Sequence, residues 1–438
     1  AVGTRRDRQA TLRTTFDWSW DLLSAAERTA LAQLSVFEGG WTLQAAESVL
    51  DLSQHADAPL VMDVLQSLVH KSFVQQVADD RFELLVSVQE YAAEHLRTPG
   101  RHAGSGPEQA LLAQARHGLF FSCLAGGVGD PCAELDNLVA ACRRAVARGD
   151  AELVVPLLEA AGAALMLQGP YQTAADLAAE ALNLPMLADE ARARVHWVAG
   201  HALHHIGRDR QACGHLEAAL ELSQRSGHRI GIARALRVLG AIDMAAGNEA
   251  SARDRFVTAM EIAKELAERG LESDVYSDLG NLAEDLGLID EARAHYESAL
   301  LPARAIGDRQ RESSVLGNLA LLCGHQGRMH ESLARYEAAL AAARETGNRR
   351  LQGNTLCNMG LLLQLLGDAP RAQSLLAQSL AIARGLGNAY LECNVLCNLG
   401  IVSESLMQPE LARTQYEAAV NLARTLEDRH SEGQFLGY

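Results

Sequence analysis

Lysine is almost missing from this chain. Lys71 and Lys264 are the only two in 438 residues, so arginine supplies nearly all of the 39 basic side chains. Acidic residues number 55, leaving a formal net charge of −16. A chain this short of cations lacks the clustered positive charge that neutralises phosphates. Nonspecific nucleic-acid binding is therefore disfavoured, and a partner with basic features is favoured. No run reaches eighteen uninterrupted apolar residues, and the opening AVGTRRDRQATLRTT has no signal-peptide core, so no membrane span is expected and the chain reads as cytoplasmic. The eight cysteines form no CxxC pair, which removes a zinc ribbon or a disulfide framework; all are read as buried apolar thiols, Cys393 and Cys397 included. Neither lysine follows a glycine, so the phosphate loop GxxxxGK[ST] is absent. No Ser-His-Asp or Cys-His spacing stands out either. No catalytic residue, metal ligand or cofactor is expected in these residues, and the chain is not expected to be an enzyme.

What the sequence does contain is a repeat. Ala199-Gly200, Leu239-Gly240, Leu279-Gly280, Leu319-Ala320, Met359-Gly360 and Leu399-Gly400 fall forty residues apart. Seven residues after each pair comes a turn glycine, from Gly207 to Gly367, with Met407 the exception. Two columns of small residues flank a bulky one: Leu216, Phe256, Tyr296, Tyr336, Leu376 and Tyr416. Small residues let two helices approach, and the large one is expected to fill the gap between repeats. A second turn ends each repeat, as at Gly227, Gly307, Gly347 and Glu427-Asp428-Arg429, where glycine suits a left-handed helix end. A degenerate thirty-eight-residue unit at Ala161-Gly162 brings the count to about seven, the last ending at Tyr438.

The first hundred residues do not repeat. Helical periodicity marks Thr11 to Leu23, Ala25 to Phe37, Leu43 to Leu50, Leu60 to Lys71 and Val86 to Arg97. Ser72 to Val77 and Arg81 to Leu85 alternate around Ala78-Asp79-Asp80 as a hairpin. Helices followed by a hairpin make a winged-helix pattern, with Leu43 to Leu50 the candidate recognition helix. That helix has no cation, and residues 1–100 carry eight basic against fourteen acidic side chains. DNA readers need Arg, Lys, Asn or Gln there, so intramolecular packing is the expected role. Thr98 to Pro107 reads as a flexible linker.

Two polar columns run along the first helix of each repeat: Asp278, Asn318, Asn358 and Asn398, and one turn earlier Arg234, Asp274, Ser314, Asn354, Asn394 and Gln434. Asparagine is a mediocre helix former, so its recurrence asks for a reason. Its amide can bond an extended peptide through donor and acceptor. The alternative is a ladder of bonds between neighbouring repeats. Arg234, Asp274, Asp278, Asn318, Asn354, Asn358, Asn394 and Asn398 form the candidate ligand site on the concave face. His196, His201, His204 and His205 lack a carboxylate partner at metal spacing and read as a solvated helix face.

The glycine, alanine and bulky columns resemble the tetratricopeptide repeat. The motifs TLRTTFDWSWDLL (from Thr11), LSVFEGGWTLQAAESV (from Leu34), LQSLVHKSFV (from Leu65), RFELLVSVQEYAAEHL (from Arg81) and ELDNLVAACRRAVARGDAELVVPLL (from Glu134) resemble the winged-helix and joining region of bacterial STAND-type predicted ATPases, the AfsR-like and LuxR-associated regulators. The resemblance implies an all-α chain: a winged-helix domain at 1–97, linker and bridging helices at 98–158, and a right-handed superhelix at 159–438. It also implies a piece of a longer switch, with an intramolecular nucleotide-binding domain binding ATP or ADP, and repeats that sense a protein, peptide or small molecule. Related NB-ARC switches carry an MHD histidine on the winged helix; Leu84, Leu85 and Val86 align there, so direct nucleotide sensing is not expected, and Leu84 and Leu85 are read as core. The alternatives are a DNA-binding transcriptional regulator and a stand-alone adaptor scaffold.

Overall fold

The structure, a computed structural model, describes residues 5–55, 60–78, 80–126, 130–185 and 187–426. The chain forms two compact units, Ala1–Ala161 and Gly162–Tyr438.

The first unit runs α1 (Arg5–Asp21), α2 (Ala25–Leu34), β1 (Gly40–Thr42), α3 (Leu43–Val49), α4 (Val61–His70), β2 (Gln75–Ala78), β3 (Arg81–Glu83), α5 (Val86–Arg97), α6 (Pro107–Ser122) and α7 (Leu135–Arg148), with α8 (Ala151–Gln168) crossing into the second. Asp79, in the expected hairpin turn, lies outside the described residues. Ser24 opens α2 with a capping box: its hydroxyl accepts from the Glu27 amide at 3.2 Å, while the Glu27 carboxylate accepts from the Ser24 amide at 2.6 Å. Burial pushes the Glu27 carboxyl up, but Lys71 at 2.7 Å, Ser67 and the Ser24 amide together bring it down to about 2. One of the two lysines thus ties α2 to the end of α4. The antiparallel sheet has the order β1-β3-β2, with buried Trp41 opposite buried Phe82. A three-residue strand is too short to show alternation, which is why β1 escapes a periodicity reading.

Three expectations for this unit change. The helix that leads into the hairpin, the reading position of a winged helix, is α4 and not Leu43 to Leu50. It buries Val64, Leu65 and Leu68 and contains neither lysine nor arginine. Residues 98–107 are held down: Thr29 donates to the Ala103 carbonyl at 3.0 Å, and the Gly106 amide bonds the Leu96 carbonyl at 2.8 Å. Leu85 is 48% exposed and Val86 70%, so Leu85 is not core.

The second unit stacks the end of α8 with α9 (Tyr171–Leu182), then α10 (Asp189–Ile206) with α11 (Asp209–Ser226), α12 (Arg229–Ala245) with α13 (Glu249–Glu265), α14 (Arg269–Asp285) with α15 (Ile289–Ala305), α16 (Arg309–His325) with α17 (Met329–Glu345), α18 (Arg349–Leu365) with α19 (Ala369–Leu386), and α20 (Ala389–Ser405) with α21 (Pro409–Thr425). The period is set by close approach. A Cβ on Gly200, Gly240, Gly280, Gly360 or Gly400 would meet Leu216, Phe256, Tyr296, Leu376 or Tyr416 at 2.4–2.7 Å. The bulky column therefore packs against the glycine of its own repeat and also fills the gap to the next, as Phe256 shares a core cluster with Val275 and Leu279, and Tyr296 with Val315 and Leu322. Met407 takes the left-handed turn conformation at φ 56°, as the glycines do, and is 87% exposed. The repeat end at Tyr438, Gln434 and the Glu427-Asp428-Arg429 turn lie outside the described residues.

Helix α8 alone among the described residues is long and apolar enough to cross a membrane, with mean hydropathy 1.4, and 56% of it is buried. Glu152, Pro156 and Glu159 interrupt its apolar run. Five cysteines are buried as read, whereas Cys123 is exposed and Cys132 and Cys213 are partly so.

The first helices of successive repeats touch one another, α10 with α12 and onward to α18 with α20, and so form the inner layer. Helix α10 also touches α20, so the array meets itself five repeats on. Tyr390 donates to the Asp209 carboxylate across 181 residues of sequence, and the other Asp209 oxygen lies 2.8 Å from His204 Nδ1. Gly207 seats Leu426 so closely that a Cβ would lie 1.9 Å from it, and Gly169 seats Leu386. The equivalent turn glycines Gly247, Gly287, Gly327 and Gly367 meet nothing within 4 Å.

Candidate ligand-binding hollow

The inner helices bring polar side chains within electrostatic reach of one another around a shared interior. Arg237 of α12 donates to Asp278 of α14 at 3.2 Å, and Arg311 of α16 donates to Asp274 at 2.8 and 3.2 Å. Arg311 is also bonded by Asp308, the residue capping its own helix. These groups lie deep but not dry: Asp274 keeps 26% of its side-chain surface and Asp278 17%. Burial pushes both carboxyls up. For Asp274 the guanidiniums of Arg237 and Arg311 outweigh it and hold the group below the ordinary value. Asp278, with one longer bond and Asp274 as a like-charged neighbour, is raised to about 6.

The wall facing this pair is aromatic. Trp197 and His201 stack at 5.1 Å between ring centres, His201 and His205 follow at 4.9 Å, and Tyr171 of α9 meets His205 at 5.1 Å. The spacing i, i+4, i+8 puts Trp197, His201 and His205 on one face of α10. Arg234 lies 5.6 Å over the Trp197 ring. These histidines are not a solvated face: both are partly buried, and burial first, with Arg237 and His204 among the charges around them, holds their imidazoles well below the usual range. Arg350, from the first turn of α18, is close enough to act electrostatically on Tyr171, His201, His205, Asp274 and Asp278 together. It comes from the opposite side of the ring.

The eight residues singled out from sequence divide. Asp274 and Asp278 are engaged by arginines, and Arg234 by a ring. Asn318 donates to Asn281 of the preceding repeat at 3.3 Å, and Asn398 to the Cys357 sulfur at 3.3 Å. Asn358 is half-buried beside Tyr336. Only Asn354 and Asn394 are exposed. The later column is thus largely the inter-repeat ladder, and the earlier one leaves its asparagines exposed. Sequence reasoning missed Arg237, Arg311, Arg350, Trp197 and Tyr171. None of these residue types is repeated in its own column, so comparing the chain with itself gives them no weight.

A model of the tetratricopeptide repeat family matches residues 191–265, 231–300, 271–345 and 311–385. A Mycobacterium tuberculosis protein named as an HTH-type transcriptional regulator is 36% identical over 151 residues, 33% of this chain and 15% of its own length. The chain therefore spans only a small part of the curated relatives it matches. Among solved structures, a Signal Transduction ATPase with Numerous Domains (STAND) protein with a tetratricopeptide repeat sensor, from Pyrococcus horikoshii, aligns over 96% of this chain and 63% of its own, with TM-score 0.51 and 16% identity. A Rap protein complexed with Competence and Sporulation Factor aligns over 78% of this chain and 92% of its own, with TM-score 0.58 and 14% identity. Residues 191–385 are tetratricopeptide repeats, and the chain shares its fold with a STAND protein that has a tetratricopeptide repeat sensor.

Proposed function

We propose that this chain is the sensing and relaying portion of a STAND-type signal-transduction ATPase of the cytoplasm. The repeats take a protein, peptide or small-molecule signal in the hollow, and the winged-helix unit passes the change to a nucleotide-binding domain that holds ATP or ADP. The portion described here performs no catalysis of its own. The observation that carries this reading is the inner surface: an array of helices whose inner layer keeps exposed amides at Asn354 and Asn394 as well as charged and aromatic groups, where a purely structural array would be apolar. The likeness to a repeat-bearing STAND sensor, and to a Rap protein solved with a signalling factor, supports it. A ligand that prefers one curvature of the ring shifts the switch by its difference in affinity for the two states.

The HTH-type relatives support transcription as the output of the intact protein. They do not make this winged helix the DNA reader, because α4 offers no lysine or arginine to a groove. The test is a pooled peptide-library capture on the full chain, repeated with Asn354→Ala combined with Asn394→Ala. Retained peptide that falls with the double variant supports the reading, and capture that ignores the variant overturns it. A mobility-shift assay at moderate salt is expected to show no complex.

A further inference from the structure

The charges in the hollow do not cancel residue by residue. Asp274 and Asp278 are each bonded to an arginine, and Asp308 to Arg311. Arg234 and Arg350 are left over, and Arg234 is engaged by the Trp197 ring. The Arg350 Nε is sealed from solvent with no hydrogen-bond partner, and no carboxylate pairs with its guanidinium among the described residues. The Trp197 indole nitrogen is likewise buried without an acceptor. A guanidinium offers five donors in a fixed fork and no acceptor, so its missing partner is an anion with two oxygens. The imidazoles on the facing wall cannot add cations, because burial and the surrounding positive charge hold them neutral. They and the Tyr171 ring, tilted against one another, instead make a neutral aromatic surface beside the charge.

We infer that Arg350 and the Trp197-His201-His205-Tyr171 wall form a subsite for a ligand bearing a carboxylate next to an apolar or aromatic group. The carboxylate takes the guanidinium fork, and the adjoining group lies against the rings. An unpaired buried donor is costly to leave open and is satisfied when the right acceptor arrives, so it selects against the neutral amide of the same shape. This inference rests on the sensing role proposed above and names the chemistry of what is sensed.

The experiment is calorimetric titration of the full chain with 3-phenylpropanoate, 3-phenylpropanamide and phenyl phosphate. It uses the native protein, Arg350→Ala, Arg350→Lys and, as a control, the exposed Arg349→Ala. The native protein and Arg349→Ala should bind the carboxylate and not the amide. Arg350→Ala should lose about ten- to a hundred-fold in affinity, the loss of one charge-assisted bond. Arg350→Lys should fall between, keeping the charge without the fork. The melting temperature of Arg350→Ala should stay level or rise, since an unpaired charge has gone; a fall with unchanged affinity would mark a structural role and overturn the assignment. Equal binding of the amide, no binding of the carboxylate, or tighter binding of phenyl phosphate would each overturn it as well. Capture of pooled peptides that depends on Asn354 and Asn394 but not on Arg350 would leave the sensor standing and remove this subsite.

Discussion

The inner faces of the middle and late repeats occupy the same positions of the same motif and do different things. In the middle repeats the columns hold Asp274 and Asp278, tied to Arg311 and Arg237. In the late repeats they hold Asn354, Asn358, Asn394 and Asn398, one of them bonded to a thiol and two facing solvent. Charged pairs lock neighbouring repeats together and use up their own bonding capacity. Neutral amides leave capacity over, so one column can be scaffold at one end and recognition surface at the other.

The largest effect should come from breaking a charged pair. Arg237→Ala strands Asp278 in a half-dry site and should cost about 2–3 kcal/mol in urea unfolding; pairing it with Asp278→Leu should recover much of the loss. A cost no larger than that of an amide variant would erase the contrast.

The next test is pH. Asp278 holds its proton up to about 6 in the folded chain, against about 3.9 when unfolded. The folded state therefore binds more protons between these values, and this contribution to stability, present below about 4, is lost as pH rises to 6. His201 and His205 act in the opposite sense: their depressed folded values mean stability present above about 6.5 and lost as pH falls. Asp278→Asn should remove only the first slope, seen as a change in the pH dependence of the melting temperature between 4 and 6. Identical profiles would show that Asp278 titrates normally.

A smaller effect belongs to the amide ladder. Asn398→Ala removes one neutral bond to sulfur and should cost at most about 1 kcal/mol by denaturant midpoint. Smallest of all, Asn354→Ala and Asn394→Ala should stay within about 0.5 kcal/mol of the native stability. If they destabilise as much as Asn398→Ala does, they belong to the ladder and not to the ligand surface.

Much of the scaffold was legible in the sequence because each repeat restates the same contact: Gly280 with Tyr296, and Gly400 with Tyr416, can be found by sliding the chain along itself. The winged-helix pattern was legible from periodicity, apart from β1 and the choice of helix that meets the hairpin. Leu85 was misread because an apolar residue at a helix start looks the same whether it is covered or bare. The hollow was the least legible part. Arg350 falls in a column with Gly270, Gln310 and Tyr390, and His201 in one with Ala241, Asn281 and Leu321. The residues that give the ring a ligand preference are those in which the repeats disagree, and only the fold brings them together.

The contacts of Gly169 with Leu386, and of Gly207 with Leu426, join repeats five apart and give the array an arithmetic that a loose spiral lacks. A loose spiral can gain or lose a forty-residue unit and keep every remaining joint. A spiral whose turns touch has a set number of units per turn, since a unit inserted between Gly207 and Leu426 would carry Leu426 past its seat and a missing one would leave it short. The number of repeats per turn is thereby a dimension of the aperture, fixed by geometry as the tooth count of a gear is fixed by its diameter.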